Sequence, residues 1–257
     1  MKFWLGTNMP HWLWMSALPR LFVSHRRLAR YKRLDKQALM PWCLDSGGFT
    51  ELSMFGRWQT PSTEYVEAMA QYRQRIGRLD WAAPQDWMCE PFMLERTGLT
   101  VEEHQHRTIL SVLELRSRTA DHGVHVIPVL QGFRPDEYMS HVEQYADAGI
   151  DLRHERIVGL GSVCRRQATS DIASLIAQLS QGGLALHGFG VKSGGLQTYG
   201  WLLASADSMA WSFNGRQIRP CPIRGVKSCT SCEHHALTWY ERYSTPHPPS
   251  PIQTKMF

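Results

Sequence analysis

Two groups of residues carry side chains capable of chemistry at informative spacing. The first is Asp45-Ser46-Gly47-Gly48-Phe49-Thr50, directly behind the apolar run of residues 40–44. A carboxylate at the end of a buried strand is costly unless paired, and consecutive glycines weaken an element while letting backbone approach a ligand closely. The stretch therefore reads as a site, with a capping role for Asp45 in the following turn as the plain alternative. The second group is Cys221, Cys229 and Cys232, spaced C-x7-C-x2-C and followed by His234 and His235. Three thiolates and an imidazole make a closed tetrahedral zinc (Zn2+) site, structural because no coordination position stays open. The C-x2-H offset from Cys232 favours His235 over His234 as fourth ligand. Cys43, Cys89 and Cys164 are expected to be small buried residues.

Something must position these groups, and the hydrophobic periodicity says what. Strand-like runs at residues 3–6, 42–45, 79–83, 124–131, 156–160, 184–191 and 206–211 alternate with helical spacing at 61–76, 100–120, 136–148, 170–179 and 196–204. The helix at 100–120 opens with T-V-E-E, a capping box from Thr100 to Glu103. Such alternation predicts an α/β fold with a parallel sheet, and in 257 residues a (β/α)8 TIM barrel more than an open sheet, although these runs number seven. In a barrel the carboxyl ends of all strands share one mouth. Asp45, Asp80 and Asp86, Gln131-Gly132, Gly159 and Gly161, His187-Gly188, Gly190 and Asp207 all fall at such ends. Taken singly, Gln131 also suits a turn, and His187 also suits a core.

Lys and Arg number 28 against 23 acids, a net charge of +5. Seven of these cations lie in residues 20–36 with a single acid, Asp35. Such a run is either a phosphate footprint or a solvated helix face. Tyr31, Trp12 and Trp14 nearby favour nucleic acid if they stack bases, and otherwise belong to a core. No stretch reaches the roughly 18 apolar residues of a membrane span, and the start lacks the layout of a signal peptide, so a soluble cytoplasmic protein is expected. Six cysteines in this length do not suggest a secreted disulfide framework. The expected organisation is one barrel over 1–243, a zinc subdomain at about 219–236 and a flexible Pro-rich tail at 244–257.

The motifs also have a familiar order. D-S-G-G-F at 45–49, A-P-Q-D-W at 83–87, V-L-Q-G at 129–132, G-L-G-S at 159–162, H-G-F-G-V-K at 187–192, A-D-S-M-A-W at 206–211 and the cysteine cluster together resemble the tRNA-guanine transglycosylase superfamily over about residues 40–240. Its members are zinc-containing (β/α)8 barrels that exchange guanine for a 7-deazaguanine without breaking the phosphodiester chain. The chain is much shorter than the tRNA enzymes and shows none of their RNA-binding extension, so it looks most like the short DpdA-like branch that modifies DNA in phage and bacterial systems.

The resemblance implies a role for each matching position. Asp45 would hold the base and handle its proton, with Ser46 and Gly47 beside it, and Phe49 would stack on the ring. Asp86 would accept from the guanine N1 and 2-amino edge, Asp80 being the weaker claimant. Gln131 with Gly132, and the Gly161 backbone, would read the O6 side, and His187 would close the other face. In the tRNA enzymes the seventh strand bears two acids three positions apart, the second being the nucleophile; here the pair is Asp207 and Ala210. Either Asp207 is the nucleophile or the familiar covalent intermediate is not formed. The implied partners are DNA, a 7-deazaguanine base such as preQ0 and helicase- or ATPase-type proteins, with phosphates held by residues 20–36, Arg165-Arg166 and residues 216–227. The alternatives are exchange in tRNA and a catalytically silent barrel that binds nucleic acid or a modified base. Thr50 stands where the tRNA enzymes usually have Gln.

Overall fold

The computed structural model describes residues 1–163, 170–223 and 225–245. Cys164, Arg165-Arg166 and the tail from residue 246 lie outside the described residues. In chain order the elements are β1 (Lys2–Thr7), β2 (Leu21–Ser24), α1 (His25–Leu28), β3 (Trp42–Asp45), α2 (Gly48–Phe55), α3 (Ser62–Arg75), β4 (Leu79–Ala82), α4 (Pro91–Thr97) and α5 (Val101–Thr119). They continue as β5 (Val129–Leu130), α6 (Pro135–Asp147), β6 (Val158–Leu160), α7 (Ser170–Gln181), β7 (Leu186–Gly188), α8 (Ser193–Tyr199), β8 (Ser205–Ser208), α9 (Ala210–Gly215) and α10 (Glu233–Tyr243).

The eight strands form one sheet in the order β4-β3-β2-β1-β8-β7-β6-β5, every pair parallel. The sheet curls, and an isolated parallel bridge joins Ala82 at the end of β4 to Val126, three residues ahead of β5. There the Ala82 N–H donates to the His125 carbonyl at 2.9 Å, and the Ile127 N–H donates to the Ala82 carbonyl at 3.1 Å. Alternation along each strand divides the side chains between two cores. Phe3 and Leu5, Leu21 and Val23, Trp42 and Leu44 pack outward with the helices. Trp4, Phe22, Cys43 and Trp81, joined by Ile127, Val129 and Ile157, fill the inside of the curl.

The eighth strand, unseen in the sequence, is β2, and it lies inside the basic run. Leu-Phe-Val is too short to show a period between Arg20 and the Arg26-Arg27 pair, yet all three side chains are buried because a central parallel strand is covered on both faces. Residues 20–36 are therefore not one helical face but a strand, a single helical turn and a loop. Trp12 belongs to the core, stacked on Trp211 with centroids 5.2 Å apart, and Trp14 and Tyr31 pack against that core. The run at 124–131 shrinks to the Val126 bridge and β5; that at 206–211 ends at Ser208, where α9 follows. The capping box forms, with the Glu103 N–H donating to Thr100 Oγ1 and the Thr100 N–H to Glu103 Oε2. Among the described residues no helix is long and apolar enough to cross a membrane.

Candidate active site and metal centre

The carboxyl ends of the strands open into a cavity of about 590 Å³. Asp45, Gly47 and Phe49 reach it from β3 and α2, Asp86 and Glu90 from the segment after β4, Gly161 and Ser162 from behind β6, Gly190 from behind β7 and Asp207 from β8. Arg26, Arg27 and Arg30 line it from α1 and the residues after it.

At β3 the chain must turn sharply out of the sheet, and Gly47 does so with φ +86°; a Cβ there would sit 2.8 Å from the Arg26 side chain. The turn points its N–H back at Asp45, which also accepts from the Ser24 hydroxyl. Burial nonetheless holds the Asp45 carboxyl above the usual carboxylate range, and the nearby Asp207 adds to this. Asp207, 5% exposed, receives the Gly190 N–H on Oδ1 at 3.0 Å, and the same oxygen lies 3.3 Å from His187 Nε2.

The segment carrying Asp86 is pinned to α5: the Gln85 N–H donates to Ser111 Oγ, the Trp87 N–H to Thr108 Oγ1, and His104 Nδ1 bonds the Met88 carbonyl at 2.7 Å. Burial, then the charge of Asp45, raises the Asp86 carboxyl to about 7. Gln131 Nε2 donates to Asp86 Oδ2, while Gln131 Oε1 lies 2.7 Å from Ser162 Oγ, itself 2.9 Å from Glu90 Oε2. One hydroxyl proton serves only one of those two acceptors at a time. Asp86, Ser162 and Glu90 in the cavity wall are thus linked by a polar chain that passes through Gln131 behind it.

Of the residues singled out in the sequence, Asp45, Gly47, Phe49, Asp86, Gly161 and Asp207 line the cavity together. Ser46, Gln131, Gly132 and His187 are not among the described residues lining it. Gln131 is fully buried behind Asp86, and a Cβ on Gly161 would collide with its amide, so the glycine is what admits Gln131 to that position. Gly132 packs against Tyr138. His187 has no exposed surface and sits among Phe22, Trp81 and Phe189. Asp80 instead forms ion pairs with Arg156 at 2.9 Å and Lys2 at 3.8 Å. Ser24, Glu90, Ser162 and the choice of arginines were not foreseen. Glu90 is an isolated acid before Pro91 with no motif around it, whereas the basic run announced the arginines without saying which of them face the cavity.

The three cysteines meet as the spacing required. Cys221, Cys229 and Cys232 are buried with their sulfur atoms within 4.8 Å of one another. Burial and the two neighbouring thiols push the Cys229 thiol up to about 12, so a cation is what would let the group ionise. Three soft donors without a carboxylate among them suit zinc. His235 stands outside this group of three: its Nε2 donates to the Trp211 carbonyl at 3.0 Å, and His234 is exposed.

Compared with known families, residues 1–252 match the one described as DpdA, DeoxyPurine in DNA protein A. The chain belongs to the DpdA family. No curated protein matches it. As a DpdA-family member it has a role in DNA modification related to deazapurines, in the manner of a transglycosylase-like enzyme.

Proposed function

We propose that this DpdA-family chain replaces guanine in DNA with a 7-deazaguanine through a covalent Asp207–sugar intermediate. The observation that carries the reading is the pairing in one cavity of a fixed carboxylate, Asp207, with a buried one, Asp45, held toward its protonated form. Two carboxylates in distinct environments are what a retaining double displacement requires. Asp207 Oδ2 attacks the anomeric carbon as the C1′–N9 bond breaks, and the departing guanine takes the bond pair together with a proton from Asp45. The incoming base then returns its N9 proton to Asp45 and attacks the same carbon, releasing Asp207. Ala210, first residue of α9, supplies no acid, so Asp207 serves alone.

A base inside a duplex cannot reach this cavity, so the nucleotide must be flipped or single-stranded. Phe49, 41% exposed at the mouth, would cover the ring, with Asp86 and the Gly161 backbone on its edges. Gln131 would act behind Asp86, orienting it. Arg26 is engaged by Glu51, whereas Arg27 and Arg30 are exposed and placed to hold phosphates. We further read the bridged sheet as a closed (β/α)8 barrel, and the thiols as a structural zinc site with His235 Nδ1 as fourth ligand. A carbonyl bond on the other ring nitrogen is the usual way of orienting such a ligand. Bound there, the metal would lock the turn ahead of α10.

The test is to incubate the protein with labelled 7-cyano-7-deazaguanine and either DNA or tRNA. Label in DNA alone is the expected result; label in tRNA would shift the substrate class, and salt-sensitive DNA binding without label would make the chain a binding module. A pH dependence follows from Asp86. Ionised, it accepts both donors of the guanine-type edge; protonated, it loses one acceptor. Affinity for the free base should rise about tenfold per unit as pH approaches 7 from below and level off above it. Calorimetry on Asp86→Asn should give weak binding with that slope removed, and a slope that survives the substitution would assign it to another group.

A further inference from the structure

His187 and Ser205 form a second layer beneath Asp207. In the parallel register His187 of β7 stands opposite Ser205 of β8, and Ser205 and Asp207, two residues apart, project from the same face of β8. The imidazole is held between them, with Nδ1 2.8 Å from Ser205 Oγ and Nε2 3.3 Å from Asp207 Oδ1. Its plane is fixed by an aromatic box, with ring centroids 4.7 Å from Trp81, 4.8 Å from Phe189 and 5.8 Å from Phe22. Nε2 is fully buried and makes no aligned hydrogen bond among the described residues; the Asp207 carboxylate stands beside it, with Oδ1 3.3 Å away.

These contacts determine where the proton sits. Were Nε2 bare, its buried lone pair would face a carboxylate. With the proton on Nε2, the N–H lies beside Asp207 Oδ1 while Ser205 Oγ donates to Nδ1. With Asp207 as the carboxylate that attacks the sugar, avoiding opposed lone pairs puts hydrogen on Nε2.

We infer that His187, set by Ser205, is a positioning residue for Asp207: it and the Gly190 N–H hold Oδ1, leaving Oδ2 to the sugar. This rests on the proposed role of Asp207 as nucleophile. In the ester intermediate Oδ1 is the carbonyl oxygen, and in the second displacement the C1′–Oδ2 bond breaks with its electron pair returning to the carboxylate. The Gly190 N–H bonded to Oδ1 and the imidazole N–H beside it stabilise that charge where it develops.

Base exchange into DNA by the full chain tests this with His187→Phe, His187→Gln and Ser205→Ala, with Asp207→Asn as reference. His187→Phe fills the aromatic box but has no donor, and kcat should fall about 100-fold with KM for the base within about threefold. His187→Gln places an amide donor near the Nε2 position and should recover activity to within about tenfold of the parent. A Phe variant with parental kcat, or a Gln variant as slow as Phe, overturns the inference. If Asp207→Asn turns over normally, the nucleophile reading fails instead, whatever the histidine variants do. Should His187→Phe not fold, Ser205→Ala decides: a roughly tenfold lower kcat at unchanged KM supports the inference, and parental kcat overturns it.

Discussion

Asp207→Asn should abolish base exchange, lowering kcat by about 10⁴-fold or more while DNA binding stays within a few-fold of the parent. The magnitude follows from losing the nucleophile of a two-step displacement, where the remaining groups retain only binding and charge stabilisation. The substitution is close to isosteric. An Asn carbonyl can still accept the Gly190 N–H that now bonds Oδ1, so the segment behind β7 has no reason to move. Arg27 and Arg30 line the cavity from another element, which separates affinity from chemistry. A denaturing gel gives a second readout, because the parent protein should leave a protein–DNA adduct when the incoming base is withheld and the variant should leave none. Exchange at the parental rate by Asp207→Asn would sink the covalent reading.

The parts of this site legible in the sequence are those where chemistry and backbone geometry make the same demand. Asp45 and Gly47 announced themselves because a carboxylate leaving a strand and consecutive glycines behind it are both costly without a purpose, and both reach the cavity. Asp86, Gly161 and Asp207 were found at strand ends by the same logic. Depth was not legible. Gln131 and His187 also sit at strand ends, but whether a side chain enters the mouth or lies beneath it depends on the volume of its neighbours. Here Gly161 admits Gln131 below the wall, and Phe22, Trp81 and Phe189 enclose His187. Asp80 misled for a related reason: it lies at the amino end of β4, away from the carboxyl-end cavity, and cations near it in space, Lys2 at the start of β1 and Arg156 ahead of β6, are remote in sequence. β2 was hidden because its three apolar residues carry too little period against the charges around them, although those charges include the arginines of the cavity rim.

The thiol cluster leads to the other large effect. Cys229→Ser should reduce bound zinc from about one equivalent per chain to near none, as should a strong chelator, and each should lower Tm by about 10 °C. Three buried thiols without a metal leave the segment between α9 and α10 with a small apolar centre, where Ile218 is the hydrophobic side chain packed beside them among the described residues. The consequence extends to the active site along a traceable path. The Cys229 N–H donates to the Gly215 carbonyl at 3.1 Å, Ser212 Oγ donates to the Thr230 carbonyl at 2.8 Å, and His235 bonds the Trp211 carbonyl, so the cysteine-bearing segment is fastened to α9. Trp211 in turn donates its indole N–H to the carbonyl of Gly6, a cavity residue on β1, at 2.8 Å and stacks on Trp12. Metal release should therefore loosen α9, which begins three residues after Asp207, and exchange activity should fall together with Tm. Metal binding contributes several kcal/mol where it organises a segment of this kind, and about 3 °C of Tm per kcal/mol is usual for a chain of this length. Metal analysis beside a thermal melt separates this from a catalytic defect: Asp207→Asn should keep its zinc and its Tm, whereas Cys229→Ser should lose both. A metal-free parent chain melting at an unchanged temperature would remove zinc from the account of this fold.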